Sequence, residues 1–361
     1  MSDSRAPIRL PQDHPPIAAG KIGVLLINLG TPESTDPKAI RSYLKEFLSD
    51  RRVIELSPLV WQPILRGVIL NTRPKKTAEA YAKIWLEDGN ESPLRRYTRR
   101  QAEALQQAVD PARERVLVDW AMRYGLPPIA EKVVELKDAG CERILVFPLY
   151  PQYSATTTAT VVDRVTDTMR RMRWQPAIRT VPPFHDDPAY VEAVARSIED
   201  HLAGLDWEPE VILASFHGLP KKYFDQGDPY HCHCLKTARL VRERLGLPPE
   251  RFRATFQSRF GPQEWLRPYT DETVAQLAKE EGIKHLAVVT PGFVADCVET
   301  LEEIAIGVRE TFEENGGQRF TAVPCLNDST EGNAMIRAVV DRELAGWWPA
   351  AATARARKAA E

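Results

Sequence analysis

The chain lacks any apolar run near the roughly 18 residues that a membrane-spanning helix needs. Its first twenty residues, MSDSRAPIRLPQDHPPIAAG, are polar and proline-rich, so no secretory signal is expected. It also lacks an excess of one charge: 48 Lys and Arg stand against 50 Asp and Glu, a formal net charge of −2. Without surplus positive charge to displace counterions, a field-driven nucleic-acid binder is excluded, though a local basic patch is not. Cysteine is scarce. Five thiols, an odd number, argue against a disulfide framework and for a reducing cytosol, where thiols stay free for metal chemistry. Phosphate loops are missing too. No G-x-G-x-x-G follows the first strand-like run and no G-x-x-x-x-G-K-[ST] occurs, so no nucleotide is expected.

What is present is a regular alternation. Short, continuously apolar, β-branched runs fall at 22–28, 115–120, 143–149, 177–181, 210–216, 252–256, 284–290 and 319–323. Such runs suit strands covered on both faces. Helical periodicity fills the gaps, for example at 129–139, 188–203, 235–245 and 269–281. Strands alternating with helices imply parallel βαβ units, and two sets of four fit a duplicated, doubly wound α/β fold. The expected layout is an arm at 1–20, one domain at 21–175, a second at 176–345 and a tail at 346–361.

Ligands in open parallel sheets bind beyond the carboxyl ends of the strands. Here those ends read NLGTP (28–32), WAMRYG (120–125), LYPQYSATTT (149–158), SFHGLP (215–220), FQSRFGPQEW (256–265) and TPGFVADCVE (290–299). Turns call for Gly and Pro, but not for Trp, Tyr, Phe and His together. A ligand cleft between the two domains is therefore expected. His217 sits just past a buried strand. Asp296, Glu299 and Glu303 are three and four residues apart, which places them on one face of an α-helix. A His facing carboxylates makes a hard N/O metal site, suited to Fe²⁺, Mn²⁺ or Mg²⁺. Tyr150, Tyr153 and Trp265 sit in polar loops where a flat apolar ligand can stack. In 53–72, Leu59, Val60, Trp61, Ile64 and Leu65 form a candidate exposed lip, the kind of patch that marks ligand or membrane contact. Arg73 and Lys76, three apart, are placed to hold carboxylates. In HCHC (231–234) the cysteines have C-x-C spacing, too tight for a zinc ribbon.

LLINLGTPES, LYPQYSATTT, SFHGLPKKYFDQGDPY, FQSRFGPQEWLRPYTDET and PGFVADCVETLEEI, in that order, resemble the ferrochelatase family over roughly residues 20–345. The resemblance implies two Rossmann-like domains clasping a tetrapyrrole, with Fe²⁺ as a substrate inserted into protoporphyrin IX to form haem. It implies His217 as proton acceptor and metal contact, Glu299 as catalytic and metal contact, and Asp296 as its acidic partner. It implies porphyrin contacts at Leu29, Arg73, Lys76, Arg123, Tyr124, Tyr150, Ser258, Trp265 and Phe293. Some bacterial members use internal cysteines for a [2Fe–2S] cluster, which makes Cys141, Cys232, Cys234 and Cys325 candidate ligands. The expected partners are protoporphyrin IX, ferrous iron, a membrane surface and a second copy of the chain. The expected location is the cytoplasm, with contact on the inner membrane. Two other readings stay open: a haem or metal carrier without turnover, and a chelatase using coproporphyrin III or another divalent metal.

Overall fold

The computed structural model describes residues 20–347. The expected arm and tail therefore lie outside the described residues, apart from Gly20, Gly346 and Trp347. Eight strands form: β1 Lys21–Thr31, β2 Val116–Gly125, β3 Cys141–Pro148, β4 Ala177–Thr180, β5 Val211–His217, β6 Phe252–Gln257, β7 His285–Val289 and β8 Arg319–Ala322. They make two all-parallel sheets, ordered β2-β1-β3-β4 and β6-β5-β7-β8. Every expected strand is present, and the fold is the doubly wound α/β class expected.

The inner runs become strands because they are buried on both faces, whereas the edge strands β4 and β8 are only partly covered. Val24 to Ile27 in β1 and Ile144 to Phe147 in β3 are wholly inaccessible. Several crossover helices begin with a cap followed by proline, as in Asp36-Pro37, Ser92-Pro93 and Asp187-Pro188. The cap side chain accepts an otherwise orphaned backbone N–H, and proline has none to leave orphaned. These pairs turn the chain sharply from each loop into its helix.

The two sheets share one apolar core. A single cluster includes Leu26, Val118, Phe147 and Phe184 beside the first sheet and Ile212, Phe216, Val289 and Val340 beside the second. The helix Thr330–Glu343 packs on both Pro93–Val109 and Pro188–Ala203. The boundary expected at 175/176 needs correcting. β4 follows it, yet Arg143–Val146 pair with Ala177–Thr180, so the first sheet extends to Thr180.

Candidate active site

The inner strands of each sheet, β1 and β3 on one side and β5 and β7 on the other, end at one cleft of ≈ 400 Å³. These are the points where the chain switches from one side of a sheet to the other, the general ligand position in such folds. Residues 28–31, 149–152, 217–220 and 292–299 contribute to its walls.

β5 delivers His217 to the cleft. Its Nδ1 lies 2.6 Å from the carbonyl oxygen of Gly218. A carbonyl only accepts, so Nδ1 carries a proton, and in the neutral ring the lone pair falls on Nε2. Glycine is required at 218, because a Cβ there would stand 2.7 Å from the Gln257 carbonyl oxygen and 3.2 Å from the Trp265 ring. Beneath His217 runs a buried polar chain. Thr270 donates to Thr255 (3.0 Å) and pairs with Ser215 (2.8 Å). Ser215 donates to Gln257 Oε1 (2.7 Å), and Gln257 Nε2 donates to the Glu299 carbonyl (2.9 Å). This chain fixes β5, β6 and the start of the acidic helix to one another.

That helix, Glu299–Val308, is a π-helix rather than an α-helix. Its wider turn re-sorts the acidic row. Glu299 lines the cleft. Ser258, held at a positive φ of 67°, donates to Glu303 Oε2 at 2.5 Å. Burial pushes the Glu303 carboxyl above its ordinary pKa, and the neighbouring Glu299 adds to this; the Ser258 bond and His217 oppose the shift. Glu302 turns outward to Lys83, 2.9 Å away. Asp296 departs from expectation. It is buried behind the cleft wall, where Thr300 Oγ1 (2.8 Å) and Asn327 Nδ2 (2.6 Å) donate to its carboxylate. It lines a separate small cavity with Thr290 and Pro324.

Leu29, Tyr150, Ser258, Trp265 and Phe293 all line the cleft, as do His217 and Glu299. The Trp265 indole is fixed by donation to the Phe260 carbonyl (3.0 Å). The Tyr150 hydroxyl is buried without a protein partner, and burial pushes its pKa up. Arg123 and Tyr124 are not among the lining residues. Arg123 is ion-paired to Asp50 and donates to the Thr160 carbonyl (2.9 Å). Tyr124 is fully buried and donates to Asp50 Oδ2 (2.9 Å). Both therefore hold the root of the segment after Asp50, whose Val53, Ile54 and Leu56 do line the cleft. Arg73 and Lys76 also lie outside the lining. Arg73 stacks over the Phe260 ring at 5.4 Å, and Lys76 is exposed.

The lip is partly as expected. Leu59 and Val60 are 88% and 56% exposed, but Leu65 is fully buried. Pro63 sits inside the helix Pro58–Ile64, and Leu65, one turn after half-buried Trp61, opens the π-helix Leu65–Ile69 on the inner face. Trp61 donates its indole N–H to the Leu48 carbonyl (2.6 Å).

The expected cysteine ligands do not converge. Cys141 begins β3, a strand length of about 23 Å from the cleft end, with its Sγ facing Gly23 in the core. Cys232 and Cys234 are two residues apart on the helix Tyr230–Arg244, about 200° around it; the first is exposed and the second buried. The four thiols thus do not fit a [2Fe–2S] cluster. Among the described residues no three His, Cys, Asp or Glu side chains form a metal-binding group. The site offers His217 and Glu299 as separate donors to a shared cleft.

The motif reading missed many lining residues, among them Glu55, Tyr81, Lys222 and Tyr223. Lys222 and Tyr223 follow the His217 turn directly in LPKKYF, and that adjacency was the available signal. Tyr81 carries no sequence signal, because only the packing of its helix brings it to the cleft.

The family model described as Ferrochelatase matches residues 21–344. Ferrochelatase of Rhizobium meliloti (strain 1021) is 62% identical over 335 residues, covering 93% of this chain and 98% of that one. Ferrochelatase of Agrobacterium fabrum (strain C58 / ATCC 33970) is 60% identical over 338 residues, covering 94% and 98%. Among solved structures, SirB from Bacillus subtilis with Fe3+ superposes with a TM-score of 0.54 at 12% identity, over 90% of this chain and 95% of that one. This last likeness concerns the fold alone. From the family match and the identity over more than nine-tenths of its length, this chain belongs to the ferrochelatase family, metal chelatases that insert ferrous iron into porphyrin in haem synthesis.

Proposed function

We propose that the porphyrin is protoporphyrin IX and that His217 is the base that receives its pyrrole protons. The observation that carries this is the His217 tautomer. With Nδ1 donated to the Gly218 carbonyl, the remaining lone pair is on Nε2, in a ring that lines the cleft. Pyrrole N–H groups are very weak acids, and a flat macrocycle hides its nitrogen lone pairs. Binding the ring's apolar edge against Leu29, Tyr150, Trp265 and Phe293 supplies the energy to pucker it. Two protons then leave as one Fe²⁺ enters, so the macrocycle's charge is unchanged. His217 takes protons from the ring, and Glu299 with the Ser258–Glu303 pair carries them onward. Glu303 suits this role because burial makes its carboxyl readier to hold a proton. No nucleotide or redox partner enters the reaction.

Protoporphyrin is favoured over a more highly carboxylated porphyrin by the lining. Among the described residues it contains one Lys and no Arg, the rest being mostly apolar or uncharged. We place the protein in the cytoplasm with its lip against the inner membrane. Exposed Leu59 and Val60 support that contact, and among the described residues no helix is long and apolar enough to cross a bilayer. A cluster held by Cys141, Cys232, Cys234 and Cys325 is not part of this reading, for the geometric reasons above. Replacing His217 with Ala is expected to cut iron insertion by about 10²- to 10⁴-fold, with porphyrin still quenched on binding. Turnover near that of the unaltered protein would overturn the assignment. A higher kcat/KM for coproporphyrin III than for protoporphyrin IX would overturn the substrate choice.

A further inference from the structure

We infer that Lys222 anchors a carboxylate on the edge of the porphyrin, and that Glu55 is the placeholder this carboxylate displaces. The inference rests on the reading that the cleft takes a dicarboxylic porphyrin. Such a ligand needs a cation where its charged edge meets water. Among the described residues Lys222 is the sole Lys or Arg in the lining. It lies five residues after His217 on the short helix Lys221–Asp225, so anchor and proton acceptor are fixed on one turn of chain.

Three neighbouring cations are committed to carboxylates, and Arg73 lies outside the lining. Lys221 contacts both Asp225 oxygens at 2.8 Å, Arg52 pairs with Asp163, Arg123 pairs with Asp50, and Arg73 lies over Phe260. Lys222 is held more loosely. Its Nζ is 3.7 Å from Glu55 Oε2, beyond hydrogen-bonding distance, and the two side chains are 40% and 35% exposed. An ion pair of that kind contributes little, so a carboxylate placed by an apolar macrocycle can replace it. The geometry around the pair keeps it at the mouth. Tyr223 donates to the Val53 carbonyl (3.1 Å), clasping this helix to the segment that carries Glu55, and Lys222 Nζ rests over the Tyr223 ring at 4.9 Å.

The test is a fluorescence-quench titration of the full chain with protoporphyrin IX and with its dimethyl ester. Lys222→Met is expected to weaken dicarboxylate binding about 5- to 10-fold, the worth of one charge-assisted contact, and to leave diester binding unchanged. Lys222→Arg should stay within about twofold for both ligands. Glu55→Gln should tighten the dicarboxylate about twofold, because the competitor is gone. Added salt should weaken dicarboxylate binding by the unaltered protein but not by Lys222→Met. Equal dicarboxylate affinity in Lys222→Met and the unaltered protein overturns the anchor alone. An equal loss for acid and ester also overturns it, because the lysine then acts through packing. Failure of the unaltered protein to bind either ligand overturns the cleft reading itself.

Discussion

The imidazoles of His185 and His233 stack with ring centroids 3.6 Å apart and planes 6° apart. Tyr153 N–H donates to His233 Nδ1 (3.2 Å), so the pair ties the cleft-lining loop after β3 to the helix Tyr230–Arg244. Burial first, then the His233 ring, pulls the His185 pKa from 6.5 down to about 4; Asp186 opposes this and Lys236 reinforces it. A depressed histidine pKa means the folded state prefers the neutral ring. Its contribution is fully present above the unfolded value of 6.5 and is lost as pH falls from there towards 4. Thermal melts should therefore show up to about 3 kcal/mol of stability lost across that window. His185→Phe should flatten the slope, and an unchanged slope would refute the assignment. At this scale the sequence was informative where a residue ends a strand. His217, Ser258, Trp265 and Phe293 reach the cleft because the strand end and its turn point them there. Asp296, Arg123 and Tyr124 were not legible, since partners distant in sequence, Asn327 and Asp50, draw their side chains away.

The inner strands were legible as elements because burial on both faces forces a continuous apolar run, which sequence displays directly. The π-helices were not. A π turn changes which residues share a face without changing composition, so a three-and-four spacing still reads as an α-helical stripe. That shift sent Glu302 outward to Lys83, and in the lip Leu65 is buried. The lip's exposed apolar contact is therefore Leu59 and Val60, not Leu65. Leu59→Ser with Val60→Ser should lower partitioning onto vesicles of mixed neutral and anionic lipid several-fold, from lost apolar area. Leu65→Ser should instead lower the melting temperature, because it buries a hydroxyl at a fully inaccessible position. Unchanged partitioning by the double variant would refute membrane contact through this element.

Across the whole molecule, the two sheets each keep a packed cluster of their own and share a third between them. The boundary at 175/176 falls before β4 because the sequence displays the strand runs but not which of them pair, and β4 pairs with β3. Helix Pro93–Val109 is bound to the far end of the chain, with Gln101 donating to the Asn327 carbonyl (2.6 Å) and Arg100 pairing with Asp328 (3.1 Å). Calorimetry should accordingly give a single transition whose calorimetric and van't Hoff enthalpies agree. Two resolved peaks would show that the halves melt independently. The shared core also bears on how force is transmitted in the cleft. Close-packed interiors resist compression, and the two walls rest on a shared packed cluster. When a flat, softer molecule is pressed between stiff walls, the deformation goes into the softer body. On the proposed reading, the protein would act as a die and the macrocycle as the sheet that takes its shape.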